Sequence, residues 1–190
     1  GLRVVVHRVA EAAGIPGGQA FAQDSLRPAV RFGRLPGELV AFSASAPPGS
    51  KVEVELVGRI LQLPPKLQDV RLPPNKAALT GNIQPLSRSP EGQFEGALAL
   101  DAPGDLGFPT FRLTLGGQTS TQVGPGRIEV LSPGRLTRVR VLSESGVART
   151  GPGSDYSRLT PLPKGTQASV TGWDGDWLRL DYGGHALGCS

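Results

Sequence analysis

The stretch VARTGPGSDYSRLTPLPKGTQASVTGWDGDWLRLDYGG, residues 147–184, decides the fold of the C-terminal part of this chain. Within it, Gly151-Pro152-Gly153 predicts a tight turn, because Pro presets φ and the flanking glycines permit a positive φ. Lys164-Gly165 predicts a second turn, and Asp174-Gly175 is a strong hairpin signal. These turns separate short runs of alternating apolar residues, so the stretch predicts a small, strongly bent β-barrel of about five strands.

The strands on either side of the last turn have distinct faces. Ala168 and Val170 share one face of the strand before the turn, since side chains alternate along a strand. In the strand after it, Leu178, Leu180 and Tyr182 lie on one face, and Trp177, Arg179 and Asp181 lie on the other.

Three blocks of this stretch resemble the bacterial Src-homology-3-like domains. RTGPGSDY at residues 149–156 resembles the family's R-S/T-G-P-G-T-D-Y signature, LPKGT at 162–166 matches its L-x-K-G-T turn, and GDWLRL at 175–180 matches its G-x-W-x-x-V/L strand. Where the family continues into a G-W-V strand, this chain has Gly188-Cys189-Ser190. The resemblance therefore implies a Src-homology-3-like β-barrel whose closing segment is missing, as if the chain had been cut inside the domain.

The cluster Ser132-Pro133-Gly134 predicts a domain boundary, with one domain over residues 1–131, a linker at 132–134 and the barrel over 135–190. The first domain reads as a series of short strands bounded by Gly, Pro or Asn. They are expected at residues 27–32, 39–44, 51–56, 93–100, 110–115 and 127–130. Such a series indicates a sandwich or a barrel, and at fold level it resembles the immunoglobulin-like modules of bacterial envelope proteins. The fold class we expect is all-β, an immunoglobulin-like β-sandwich followed by a small Src-homology-3-like β-barrel.

Two segments of the first part do not fit this series of strands. RVAEAAG at residues 8–14 predicts one or two helical turns that end at Gly14 as the cap. LPPKLQDVRLPPN at residues 63–75 contains two Pro-Pro pairs, which cannot pair in a central strand, and predicts a polyproline-like loop. An alternative is that this loop is the ligand of a proline-binding groove.

Composition limits the classes of function. The 190 residues include 27 Gly and 18 Pro, and 38% are apolar, which fits a folded chain with many turns. The net charge is +4 with no block of like charges, so we predict no nucleic-acid groove. No apolar run approaches the roughly 18 residues of a spanning helix, so we predict no membrane insertion. The chain has no Met, which predicts a processed or excised start, as after removal of a signal peptide.

The residues that could carry catalysis are too few. A metal site needs three or four converging ligands, and the chain offers His7, His185 and Cys189, of which only the last two are neighbours. His185 and Cys189 also lack the third, orienting group that a Cys–His nucleophile pair needs. We therefore predict no catalytic residue, no metal and no cofactor in these residues.

The side chains around the signature turns favour a binding role. Flat aromatic faces stack on sugar rings or hold a peptide, and Arg pairs with carboxylates of a stem peptide. The predicted ligand groove consists of Arg149, Asp155, Tyr156, Arg158, Trp173, Trp177, Arg179 and Tyr182. The alternative is that the Trp and Tyr side chains build the core of the barrel.

The resemblance also implies a function. Bacterial Src-homology-3-like domains are usually accessory modules of cell-wall hydrolases. A sandwich-like module followed by such a barrel resembles the region ahead of the catalytic domain in bacterial N-acetylmuramoyl-L-alanine amidases. Those are zinc enzymes that cleave the bond between N-acetylmuramic acid and the first stem-peptide alanine. It follows that this would be a non-catalytic targeting or regulatory region that binds peptidoglycan in the extracytoplasmic envelope (periplasm or cell wall), with zinc only in a catalytic domain outside it.

Two alternatives remain open from the sequence. The first is an accessory region of a cysteine endopeptidase that acts on the peptidoglycan stem. The second is a free-standing envelope adaptor that binds a protein partner through the Pro-rich loop.

Overall fold

The computed structural model describes residues 18–66, 92–182 and 185–187, the backbone alone for Tyr182 and residues 185–187. Within these residues the chain is all-β, with a single short 3-10 helix, η1, at Pro133–Arg135. The strands of the first part are β1 (Phe32–Arg34), β2 (Leu39–Ser45), β3 (Lys51–Leu56), β4 (Arg59–Leu63), β5 (Gln93–Ala99), β6 (Gly104–Gly107), β7 (Thr110–Leu115), β8 (Gln118–Val123) and β9 (Ile128–Val130). Those after η1 are β10 (Arg138–Arg140), β11 (Ser145–Arg149), β12 (Arg158–Pro163), β13 (Gln167–Asp174), β14 (Trp177–Tyr182) and β15 (His185–Leu187).

The strands form several sheets. In the first part, one sheet has the order β4-β3-β7-β8 and a second pairs β2 with β5. After η1, β11 and β12 form a hairpin of their own. The largest sheet has the order β15-β14-β13-β1-β9-β6, with β10 also paired to β13. Among the described residues these sheets do not close into a barrel.

The first hydrophobic core follows from strict alternation along the strands. In KVEVEL, the sequence of β3, Val52, Val54 and Leu56 are buried, as the pattern predicts. Phe42 and Phe111 are fully buried, and their rings meet edge to face with centroids 6.4 Å apart. Burying one such side chain contributes about 2–3 kcal/mol, so these alternating positions hold the sheets together.

The sequence missed three strands of the first part, β4, β6 and β8. The β8 strand reads QTSTQV and is mostly exposed, so it has no apolar alternation to detect. The strand predicted at residues 27–32 is wrong over most of its length, because β1 runs from Phe32 to Arg34. Before it, Arg27 makes only an isolated bridge to Ser43.

The Pro-rich segment departs from the prediction at its start. Lys66 donates its N–H to the carbonyl of Gln93 at 2.7 Å, and Glu95 donates to the carbonyl of Pro64 at 3.1 Å. Pairing with β5 is possible here because the bonds use a Pro carbonyl and a Lys N–H, so the missing proline N–H is not needed. The expected loop beyond residue 66 and the helical turns at 8–14 lie outside the described residues.

A second, smaller hydrophobic cluster lies after η1. Its buried members are Ala148, Leu162, Ala168, Val170 and Leu180, and Leu178 packs against it. These include the faces of β13 and β14 that alternation predicts. The predicted hairpin is also present: Asp174 pairs with Trp177, and Gly175 has a φ of +61°, which suits glycine.

The two parts of the chain share one sheet. Strand β1 lies between β9, with which it is parallel, and β13, with which it is antiparallel. Gly33 is paired with Trp173, and Phe32 with Asp174. Across the predicted boundary, therefore, the two parts are joined by strand pairing as well as by the η1 connection.

Candidate functional site

The turn at residues 149–156 is organised by the side chain of Arg149. Its Nη1 donates hydrogen bonds to the carbonyls of Ser154 and Tyr156, both at 2.8 Å. The N–H of Thr150 donates to the carbonyl of Ser157 at 3.0 Å and closes the base of the turn. Because the guanidinium bridges two carbonyls of the turn, it fixes the loop that carries Tyr156.

The glycines of this turn serve a different purpose from the one predicted. Neither Gly151 nor Gly153 has a positive φ. Instead, a Cβ at Gly151 would overlap the ring of Tyr156, and one at Gly153 would lie 3.2 Å from it. The glycines are needed because the aromatic ring lies against their backbone. Tyr156 remains 48% exposed, so its other side faces solvent.

Two further predicted site residues accompany Tyr156. Asp155 lies in the turn and Arg158 begins β12, and both are exposed. Within the described part of the chain neither side chain forms a salt bridge or a hydrogen bond. The turn therefore presents an aromatic ring, a carboxylate and a cation together.

Trp173 lies on β13, where that strand meets β1. Its ring is packed so closely over Gly33 that a Cβ there would overlap it. The guanidinium of Arg31 lies 5.3 Å from the ring centroid, within the range of a cation–π contact. Arg31 also donates through Nε to the carbonyl of Gly175 at 3.0 Å. Trp173 thus contacts the first part of the chain.

Arg179 lies on β14 and forms a bidentate salt bridge with Glu38. Its Nη1 and Nη2 donate to the two carboxylate oxygens at 2.7 and 2.5 Å. Nη2 also donates to the carbonyl of Thr171 at 2.8 Å, and Nε donates to the hydroxyl of Thr171 at 3.1 Å. All three nitrogens of this guanidinium therefore have partners in the protein.

The environment of Glu38 favours its charged form. Burial by itself raises the pKa of this carboxyl, but hydrogen bonds from Arg179 and from the N–H of Leu35 lower it. The positive charges of Arg179 and Arg34 lower it further, and together these effects hold the pKa of Glu38 below its ordinary value.

The predicted site residues thus fall into two sets. Arg149, Asp155, Tyr156 and Arg158 belong to the β11–β12 hairpin and its turn, whereas Trp173, Trp177 and Arg179 belong to β13 and β14. Trp177 is partly buried, and the side chain of Tyr182 lies outside the described residues. That the eight residues form one ligand groove stays a prediction.

A cleft that the sequence analysis missed opens beside the second hydrophobic cluster. Its volume is about 300 Å³. Its apolar lining includes Val139, Val141, Leu162, Ala168, Leu178 and Leu180. Among the other lining residues are Arg140 and Leu142, and Leu142 is 78% exposed. The sequence analysis missed the cleft because a cleft forms where elements that are distant in sequence leave a gap between them, and no local pattern shows such a gap.

The described residues contain neither a cluster of metal ligands nor a helix that could span a membrane. There, no three His, Cys, Asp or Glu side chains are grouped closely enough to hold a metal ion. His185 and Cys189, the neighbours considered from the sequence, fall outside that description of side chains. Over the described ranges we also find no helix with the length and hydropathy needed to cross a membrane.

Comparison of the chain with protein families, with curated proteins and with solved structures finds no match. The function is therefore inferred from the turn at residues 149–156, the cleft and the joint between the two parts.

Proposed function

We propose that this chain is the non-catalytic targeting or regulatory region of a cell-wall hydrolase, an N-acetylmuramoyl-L-alanine amidase, and that it binds peptidoglycan in the bacterial envelope. In this proposal the part before η1 is an immunoglobulin-like module and the part after it is a Src-homology-3-like domain. The hydrolase chemistry, with its zinc, belongs to a catalytic domain outside these residues.

The arrangement of the turn at residues 149–156 is the observation that carries the proposal. Tyr156 is held against the backbone of Gly151 on one side and is exposed on the other. Arg149 fixes the loop from within through its two carbonyl contacts. A side chain that is already fixed loses little conformational freedom when a ligand binds, which favours binding.

The chemistry of the turn suits a glycopeptide polymer. The exposed ring of Tyr156 offers a flat face for a sugar ring or for a peptide group. Arg158 offers a cation to a stem-peptide carboxylate, and Asp155 offers an acceptor to hydroxyl and amide donors. Trp173 and Arg179, which contact the first part of the chain, hold the ligand-binding part in place in this proposal.

Co-sedimentation with purified peptidoglycan sacculi tests the proposal. We expect the wild-type chain to pellet without releasing wall fragments, and Tyr156→Ala to pellet about tenfold less at the same concentration. Phe108→Ala is the matched control, because Phe108 is also an aromatic residue and is 50% exposed, but lies in the first part. This control should pellet like the wild type.

Two outcomes would contradict the proposal. If the wild-type chain does not pellet at any salt concentration, the chain does not bind the wall. If Tyr156→Ala and Phe108→Ala pellet equally well, the turn is not the binding surface.

A further inference from the structure

We infer that the cleft between residues 139–147 and strands β12–β14 is a second binding site, for a short peptide with small apolar side chains and a free carboxylate. This inference rests on the proposed function, because it names the portion of peptidoglycan that the cleft would take, the end of a stem peptide. It concerns residues that the sequence analysis did not assign to any site.

The size and lining of the cleft suit small apolar side chains. Its volume of about 300 Å³ is at the lower end of the range for ligand sites. Such sites are lined mostly by apolar side chains, with a few polar groups among them. Leu162, Ala168 and Leu180 belong to the buried cluster and line its interior. Methyl groups such as those of alanine would be buried favourably in this apolar interior, and no charged group would have to move.

Leu142 indicates that the mouth of the cleft is an unfilled apolar surface. It lines the cleft and is 78% exposed, the largest exposure among the exposed large apolar residues of the described chain. A leucine that both lines a cleft and faces water would be buried by a ligand entering there.

The charges around the cleft favour an anion. Arg140 lines it and has no ion-pair partner within the described residues. Glu144 is an acidic residue close to Arg140 in sequence, but its carboxylate already forms a salt bridge with Lys164 at 2.5 Å. Arg140 is therefore available to a ligand carboxylate, with which a guanidinium can form two parallel hydrogen bonds. An apolar cleft with one available guanidinium matches a peptide that ends in an alanine carboxylate.

The test is isothermal titration with a synthetic stem pentapeptide that ends in D-alanyl-D-alanine, compared with the same peptide as its C-terminal amide. We expect the free acid to bind the wild-type chain about tenfold more tightly than the amide. In Arg140→Gln this difference should disappear. Arg138→Gln is the matched control, because Arg138 is an exposed arginine on the same strand that does not line the cleft, and it should keep the difference.

A second pair of variants tests the apolar part of the cleft. Leu142→Ser should lower the affinity of the chain for both peptides by about tenfold. Leu159→Ser changes an exposed leucine outside the cleft and should leave both affinities unchanged. Both positions are exposed, so neither change should prevent folding.

The outcomes separate this inference from the proposed function. If the sacculi pellet the chain but the pentapeptide acid does not bind, the inference is overturned and wall binding stands. If Arg140→Gln keeps the preference for the acid, the inference is also overturned. It fails as well if the apparent mass of the chain rises with concentration and Leu142→Ser abolishes the rise, since a second copy would then occupy the cleft. If neither sacculi nor peptide binds, both proposals fail.

Discussion

Removing the salt bridge between Glu38 and Arg179 should loosen the joint between the two parts of the chain by a measurable amount. The relevant perturbation is a double-mutant cycle of Glu38→Ala, Arg179→Ala and the double variant. The two side chains are 35% and 23% exposed, so the pair is partly screened by water. Exposed pairs contribute about 0.2–1 kcal/mol and hydrogen bonds to charged groups about 1.5–3 kcal/mol. We therefore expect a coupling energy of about 1–2 kcal/mol.

The two single variants should not be equivalent. Arg179 also bonds to the hydroxyl and the carbonyl of Thr171, whereas the only other donor to Glu38 among the described residues is the N–H of Leu35. Arg179→Ala should consequently destabilise the protein by about 1 kcal/mol more than Glu38→Ala does.

The assay is urea unfolding followed by tryptophan fluorescence, since both tryptophans, Trp173 and Trp177, lie on the strands of this joint. The pair Lys164–Glu144 provides the control cycle, because its side chains are 58% and 84% exposed. That cycle should give a coupling of at most about 0.5 kcal/mol. A Glu38–Arg179 coupling no larger than the control would refute the view that this salt bridge joins the parts.

Three further predictions follow from the same structure. Gly172→Ala should destabilise the protein by about 1–3 kcal/mol in urea unfolding, because the new Cβ would lie 2.5 Å from a backbone carbonyl of β1, whereas Gly134→Ala, with open space around it, should have little effect. Gly151→Ala should move the ring of Tyr156, because the new Cβ would overlap it, and this should be seen as a shift of its ring proton resonances and as weaker pelleting with sacculi. The pKa of Glu38 is lowered in the folded protein, so wild type should be more stable than Glu38→Gln by the full amount above the ordinary pKa of about 4.3. This difference in stability should disappear as the pH falls through the lower pKa of the folded state, and an equal difference at about pH 7 and about pH 3 would contradict this.

Local pattern predicted those features that depend on neighbours in sequence. The alternation in β3 placed Val52 and Val54 in the core, and the signal at Asp174-Gly175 predicted the β13–β14 hairpin. The sequence did not predict strand β8 because polar residues lie on both of its faces. It is a strand because it pairs with β7.

The side chains of the candidate site also show that local pattern predicts contacts only between neighbours in sequence. The sequence grouped Arg149 with Tyr156 because both belong to one short motif, and the structure brings them into contact. It also placed Arg179 in a ligand groove, but could not reveal that Glu38, far away along the chain, neutralises its charge. Electrostatic availability of an arginine depends on its partners in three dimensions, which spacing does not encode.

The position of β1 between β9 and β13 has a consequence for the order in which the protein can form. A ribosome completes β1 and its parallel partner β9 before it has made β13, so the first part is able to present a finished strand edge in advance. When β13 is added to this edge as to a template, the pairing of β1 with β9 already holds β1 in place, which lowers the entropic cost of joining β1 to β13. A fragment cut at residues 132–134 would lose that template: β13 would keep β10 and β14 but leave unpaired the backbone that β1 covers, an edge open to association with other strands.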